Sequence, residues 1–286
     1  MNVRIRGRVH DLGGFTVRRV LPSAERRQVG PFVFLDHIGP ARFAPGEGLD
    51  VRPHPHIGLA TVTYLFEGAL MHRDSVGSEQ VIRPGDVNWM TAGRGIVHSE
   101  RTPSPEREDG HAMHGLQFWV GLPQRDEEVE PSFVHHPAAA LPEWDEGGVR
   151  LRLIAGRAFG RQAPTRVLSP LFFLDARLPA GASLALPADY SERAMVVLSG
   201  DVRIGEETVE PGETVVFEAA APIVLDSAGG ARVGLFGGEP LDGPRRMWWN
   251  FVSSSPERIE RAKDDWRAQR LGQVPGESEF IPLPEQ

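Results

Sequence analysis

Two short motifs carry the side chains of this chain best suited to holding a metal ion: His54-Pro-His56 and His98-Ser-Glu100. Successive side chains of a β-strand point to opposite faces, so residues two apart share one. On two adjacent strands the motifs would aim three imidazoles and one carboxylate at a common interior point. Such a donor set, without sulfur, suits Fe(II), Mn(II), Ni(II), Cu(II) or Zn(II). Each motif alone also has a plainer reading. A His-x-His in a stretch containing Pro53 and Pro55 fits a surface turn equally well, His98 fits a buried histidine with a satisfied hydrogen bond, and Glu100 fits a solvated edge charge.

The distribution of histidine favours the metal. All ten histidines, from His10 to His136, lie in the leading half, and the two halves read as copies of one unit. Phe34-Leu-Asp36, Leu65-Phe-Glu-Gly68, Arg83-Pro-Gly-Asp86 and Gly95-Ile-Val-His98-Ser-Glu100 are answered in order by Phe173-Leu-Asp175, Val197-Leu-Ser-Gly200, Glu210-Pro-Gly-Glu213 and Pro222-Ile-Val-Leu225-Asp-Ser227. Four similar landmarks in one order indicate a unit used twice. Aligned this way, Leu186 and Ala188 stand where the first copy has His54 and His56. Leu225 and Ser227 stand at His98 and Glu100, so the whole donor set is present in one copy and missing from the other.

The elements that must position these residues are short strands. Gly 32 and Pro 25 among 286 residues together approach a fifth of the chain, against a usual level of roughly 12 %. With 40 % hydrophobic and 24 % charged residues, that excess signals tight turns in a globular protein. Runs such as Ala60–Phe66, Asp86–Met90, Gly115–Val120, Ala194–Leu198, Thr214–Glu218 and Ala231–Phe236 are bounded by Pro-Gly or glycine punctuation. Strands in a meander hide their edges by closing into a barrel or double-sheet roll. Ser255-Pro-Glu reads as a helix cap followed by proline at the first helical position. Ile259, Ala262 and Trp266 then form an apolar stripe on a helix of about 15 residues. The expected organisation is 1–136 with the metal site, 137–252 without ligands, and 253–286 as helix and tail, with the boundary near Pro137–Pro142.

Several function classes are excluded or disfavoured. Cysteine is absent, which removes disulfides, thiolate nucleophiles and iron–sulfur clusters. The only lysine, Lys263, falls in what reads as a surface helix, which argues against Schiff-base chemistry. A net charge of −8, without a basic run, predicts no direct nucleic-acid binding. No apolar stretch is long enough to span a membrane, and the start of the chain lacks a signal-peptide core. A soluble, cytoplasmic monomer is expected.

At the candidate ligands the chain resembles the pirin family of bicupins. The resemblance is carried by His54-Pro-His56-Ile-Gly58, Thr61-Val-Thr-Tyr64, Phe66-Glu-Gly68, the run from Pro84-Gly-Asp-Val-Asn-Trp-Met through Thr-Ala-Gly-Arg-Gly-Ile-Val to His98-Ser-Glu100, and His114-Gly-Leu-Gln-Phe-Trp119. It implies an all-β fold of two tandem cupin (double-stranded β-helix, jelly-roll) barrels with a C-terminal helix. It also implies one divalent metal, Fe(II) first and Mn, Ni, Cu or Zn as alternatives, held by His54, His56, His98 and Glu100 in the leading barrel. Bacterial pirins resemble quercetin 2,3-dioxygenases, so the implied activity is oxygenation of a flavonol or related aromatic enol by dioxygen. Glu100 would then both bind metal and accept the hydroxyl proton. Asp36, Arg94 and Gln117 are candidates for the substrate pocket. The alternative is a non-catalytic, redox-sensing metalloprotein with a protein partner, the role the resemblance to eukaryotic pirins implies.

The chain departs from the wider cupin pattern at Ala60, where many cupins have glutamate, and in an acidic loop at Pro105–Gly110. His72, His111 and His114 are expected at the surface or behind the ligands, and His135-His136 at the domain junction. Trp248, Trp249 and Trp266 are expected to pack the helix.

Overall fold

The computed structural model describes residues 2–11, 15–217 and 223–285. Glu218 and Pro222, which close one expected strand and open one landmark, lie outside them. By contacts the chain divides into two compact units, Met1–Arg8 with Arg19–Leu35 and Ala139–Pro240, and Val9–Arg18 with Asp36–Ala138 and Leu241–Gln286. This differs from three contiguous segments. Strand Val3–Arg6 pairs antiparallel with Glu213–Phe217, from Val3 opposite Val216 to Arg6 opposite Glu213, and so covers an edge of the trailing barrel. The segment beyond Pro240 joins the leading barrel, where Phe251, Ile259, Ala262, Trp266 and Val274 pack with Ile57 and Val97.

Each unit is a cupin barrel of two sheets with the same strand order. In the leading barrel, Asp50–His56, Ile96–Arg101, Leu70–Asp74 and Glu79–Ile82 form one sheet. The facing sheet runs Ser132–His136, Val87–Thr91, Leu59–Glu67, His111–Gly121, Phe32–Phe43, Thr16–Leu21, Arg8–Asp11. In the trailing barrel, Ala182–Leu186, Ile223–Ser227, Val202–Ile204 and Glu207–Val209 repeat the first pattern. Its larger sheet carries Glu213–Phe217, Glu192–Ser199, Ala231–Gly238 and Leu171–Leu178 in the order of their leading-barrel counterparts.

The register corrects the sequence alignment of the repeat. His54 pairs with His98 and His56 with Ile96, while Leu184 pairs with Leu225 and Leu186 with Ile223. Leu184 and Leu186, not Leu186 and Ala188, therefore occupy the two histidine positions. Leu184, Leu186 and Leu225 are buried in a continuous apolar core with Met195, Val215 and Leu235. The trailing barrel is filled where the leading one is polar.

The helix spans Pro256–Arg267, shorter than expected, with Ser255 as the cap accepting from the Arg258 N–H. It buries Ile259, Ala262 and Trp266 as the stripe requires. Lys263 is also buried; its ammonium sits 4.1 Å above the Trp248 ring and 2.6 Å from Glu260. The acidic loop contains a one-and-a-half-turn helix, Ser104–Asp109.

Candidate metal centre

Two local devices bring the histidines together. Asp50–His56 and Ile96–Arg101 are adjacent antiparallel strands, so His54 and His98 stand directly opposite each other, at the spacing where cross-strand side chains meet. A register shift between His98 and Glu100 marks a β-bulge between the two motif residues. Gly58, with φ +67, ends the first strand where any Cβ would meet the Val252 carbonyl at 2.0 Å. Glycine there admits the C-terminal strand Phe251–Ser253 beside His56.

The imidazoles of His54, His56 and His98 are buried, and each offers a nitrogen lying within 4.8 Å of the others'. Ring centroids are 5.0 Å apart for His54 and His56, 4.4 Å for His54 and His98, and 5.0 Å for His56 and His98. Nδ1 of His54 lies 2.8 Å from the Arg52 carbonyl and Nδ1 of His56 lies 3.2 Å from the Asn250 carbonyl. A carbonyl only accepts, so both Nδ1 atoms carry the hydrogen and both Nε2 atoms are bare lone pairs. His56 Nε2 faces His98 Nε2 at 3.1 Å. Converging lone pairs in a buried site fit a bound cation, and imidazole donors suit a divalent transition metal.

Burial pushes His54, His56 and His98 below the ordinary imidazole range, and at His56 and His98 the neighbouring imidazoles add to it. At His54 the Arg52 carbonyl and the Glu100 charge oppose burial without cancelling it. The trio is therefore neutral at pH 7, the form a metal requires.

Glu100 is buried at 6 % exposure but is not part of the converging trio. Gln117 Nε2 donates to its two carboxylate oxygens at 2.8 and 2.9 Å, and the Thr63 hydroxyl donates at 3.3 Å. Thr63 and Gln117 are register partners on neighbouring strands, as are Thr61 and Trp119. The Trp119 ring stands edge-on to His56 at 5.0 Å, so this sheet supplies a wall facing the trio.

The expected pocket residues separate. Gln117 is beside the site, but its amide is spent on Glu100. Asp36 is buried on Phe32–Phe43, a strand bearing none of the trio. Arg94 is turned out to solvent and pairs with Glu130 at 2.7 Å, because Gly93 and Gly95, both at positive φ, make it the tip of a turn. His72, expected at the surface or behind the ligands, is buried and reaches His98, with Nδ1 atoms 3.4 Å apart. His37 and His114 share a 2.8 Å contact between Nε2 atoms. Thr63 and Trp119 had a readable signal, period-two spacing on strands flanking the motifs. The Asn250 carbonyl had none.

Comparisons with known proteins agree with this architecture. The Pirin family profile matches residues 14–120 and the Pirin C-terminal cupin domain matches residues 173–272. A pirin-like protein of Caulobacter vibrioides is 54 % identical over 96 % of this chain and 96 % of its own length. Human pirin is 34 % identical over 91 % of this chain and 89 % of its own. A crystal structure of quercetin 2,3-dioxygenase from Acinetobacter baumannii superposes with a TM-score of 0.93 at 34 % identity, covering all of this chain and 95 % of that one. With both barrels matched and the similarity running nearly end to end, this chain belongs to the pirin family.

Proposed function

We propose that the protein is a metal-dependent dioxygenase of a flavonol such as quercetin or a related aromatic enol. One divalent metal, iron first, is held by His54, His56, His98 and Glu100. The observation that carries this reading is the buried trio of converging imidazoles beside a carboxylate, two of them with Nε2 as a bare lone pair. The likeness to a structure named quercetin 2,3-dioxygenase supports the substrate class. A metal at this point supplies Lewis acidity and the electron transfer that dioxygen chemistry needs.

The chain's own residues do the rest. His54, His56 and His98 bind the ion as neutral ligands. Glu100 accepts the proton of the substrate's 3-hydroxyl, and Gln117 with Thr63 aims its carboxylate. Trp119 walls the site beside His56 and limits water. Overall, both atoms of dioxygen enter the depside product and one ring carbon leaves as carbon monoxide.

Protein loaded with Fe(II) under nitrogen and then mixed with quercetin in air should bleach the flavonol band and release carbon monoxide. Absence of bleaching with Fe, Mn, Ni, Cu and Zn in turn would overturn the reading and leave the regulatory metalloprotein. Glu100→Gln should retain measurable metal while turnover drops by about 100-fold or more, the usual scale for a lost general base. Turnover at the native rate would reject the proton-accepting role.

A further inference from the structure

Two of the three imidazoles have their tautomer set by a backbone carbonyl, but His98 does not. Its Nδ1 faces His72 Nδ1 at 3.4 Å, the outer limit of a hydrogen bond. His72 Nε2 in turn lies 2.9 Å from Asp74 Oδ2. His72 and Asp74 are buried, Asp74 completely, and the His72 ring is stacked on Phe133 at 4.2 Å and 13°. The other Asp74 oxygen accepts from the backbone N–H groups of Val76 at 3.0 Å and Ser78 at 2.9 Å. Asp74 therefore has a fixed orientation, and His72 has a fixed plane.

For a neutral His72, the hydrogen-bond polarity of this row follows from its acceptor end. A carboxylate only accepts, so His72 Nε2 carries the hydrogen. Neutral His72 then has a bare Nδ1, which can only accept, so His98 Nδ1 must donate. His98 Nε2 is left as a lone pair, directed at His56 Nε2 3.1 Å away. Burial pushes the Asp74 carboxyl up, but hydrogen bonds from His72 and Ser78 outweigh it and hold it below its ordinary range. The carboxylate end of the row is thereby kept as an acceptor.

We infer that Asp74 and His72 form a two-residue relay that locks His98 in its ligating tautomer and strengthens it as a metal donor. Both are positioning residues, and neither touches the ion. The relay rests on the reading of His98 as a ligand. Its chemistry is that of a carboxylate–histidine support extended by one imidazole; loss of such a support usually weakens metal affinity 10- to 100-fold.

Asp74→Asn separates this role from a merely structural one. The two backbone N–H groups demand the amide oxygen at the Oδ1 position, so the amide NH2 must face His72. His72 then carries its hydrogen on Nδ1 and opposes the hydrogen on His98. His72→Phe keeps the stack on Phe133 and removes the acceptor. Co(II) affinity of the full chain, measured by competition with a chromophoric chelator, should fall about 10- to 100-fold in both variants. The visible spectrum of bound Co(II) should shift, while the melting temperature of the metal-free protein changes by only a few degrees. Wild-type protein binding one Co(II), and His98→Ala binding none, tests the parent reading separately. If that control holds and both variants, or His72→Phe alone where Asp74→Asn does not fold, bind Co(II) within about 2-fold of wild type with an unshifted spectrum, the relay is overturned.

Discussion

At the scale of single residues, the polar wall facing the trio is a chain of dependencies. Gln117 holds Glu100 by two hydrogen bonds, and a bond to a charged group contributes about 1.5–3 kcal/mol. Gln117→Leu should therefore lower kcat by about 10- to 100-fold while metal stoichiometry stays at that of the wild type. Colorimetric metal analysis beside steady-state kinetics checks both halves. Arg94→Ala makes the opposite case: its guanidinium is engaged with Glu130 at the surface, so kcat/KM for the flavonol should not change. A large rise in KM would return Arg94 to the pocket.

At the scale of elements, the ligand strands are braced from outside the barrel. Ile96–Arg101 sends His98 and Glu100 inward and Ser99 and Arg101 outward, where Glu277 accepts from Ser99 Oγ at 2.9 Å and from Arg101 at 2.9 and 2.6 Å. The Ile281 N–H donates to the Pro53 carbonyl at 2.8 Å, and the Trp266 indole N–H donates to the Ile281 carbonyl at 3.0 Å. Helix and tail thus hold both ligand strands, which makes Trp266 a structural anchor of the site. Trp266→Ala, at 2 % exposure, should cost about 3–5 kcal/mol. Ser255→Ala removes only the cap and should cost about 1 kcal/mol. Urea unfolding of the two variants reads the difference, and a Trp266→Ala cost no larger than that of Ser255→Ala would show that the helix does not anchor the barrel.

At the scale of the whole molecule, buried neutral histidines make stability depend on pH. His37 is 3 % exposed, and burial, then the charges of His114 and Arg18, push it down to about 3. In the unfolded chain the same imidazole titrates near 6.5. As pH falls below about 6.5 the unfolded state takes up a proton that the folded state refuses until about pH 3, so stability falls across that window. The slope is about 1.4 kcal/mol per pH unit, or about 2 kcal/mol between pH 6.5 and 5. In metal-free protein, His37→Gln should lose visibly less stability than wild type between pH 7 and 5 in urea titrations. Identical losses would remove His37 from the acid response.

The sequence by itself determined the repeat, the barrel class, the capped helix and the candidacy of His54, His56 and His98, because period-two spacing, turn punctuation and capping are local and act through neighbouring residues. Even so, its alignment of the copies slipped at Leu184 and Leu186, since only cross-strand pairing sets register. Tertiary structure alone decided that Val3–Arg6 completes the trailing barrel and that the Asn250 carbonyl orients His56. It also decided that Glu100 is held by Gln117, that Arg94 faces water, and that Asp74 reaches His98 through His72. Each of these is a hydrogen bond or pairing between residues far apart in the chain, and no local pattern encodes the direction in which a distant donor will point.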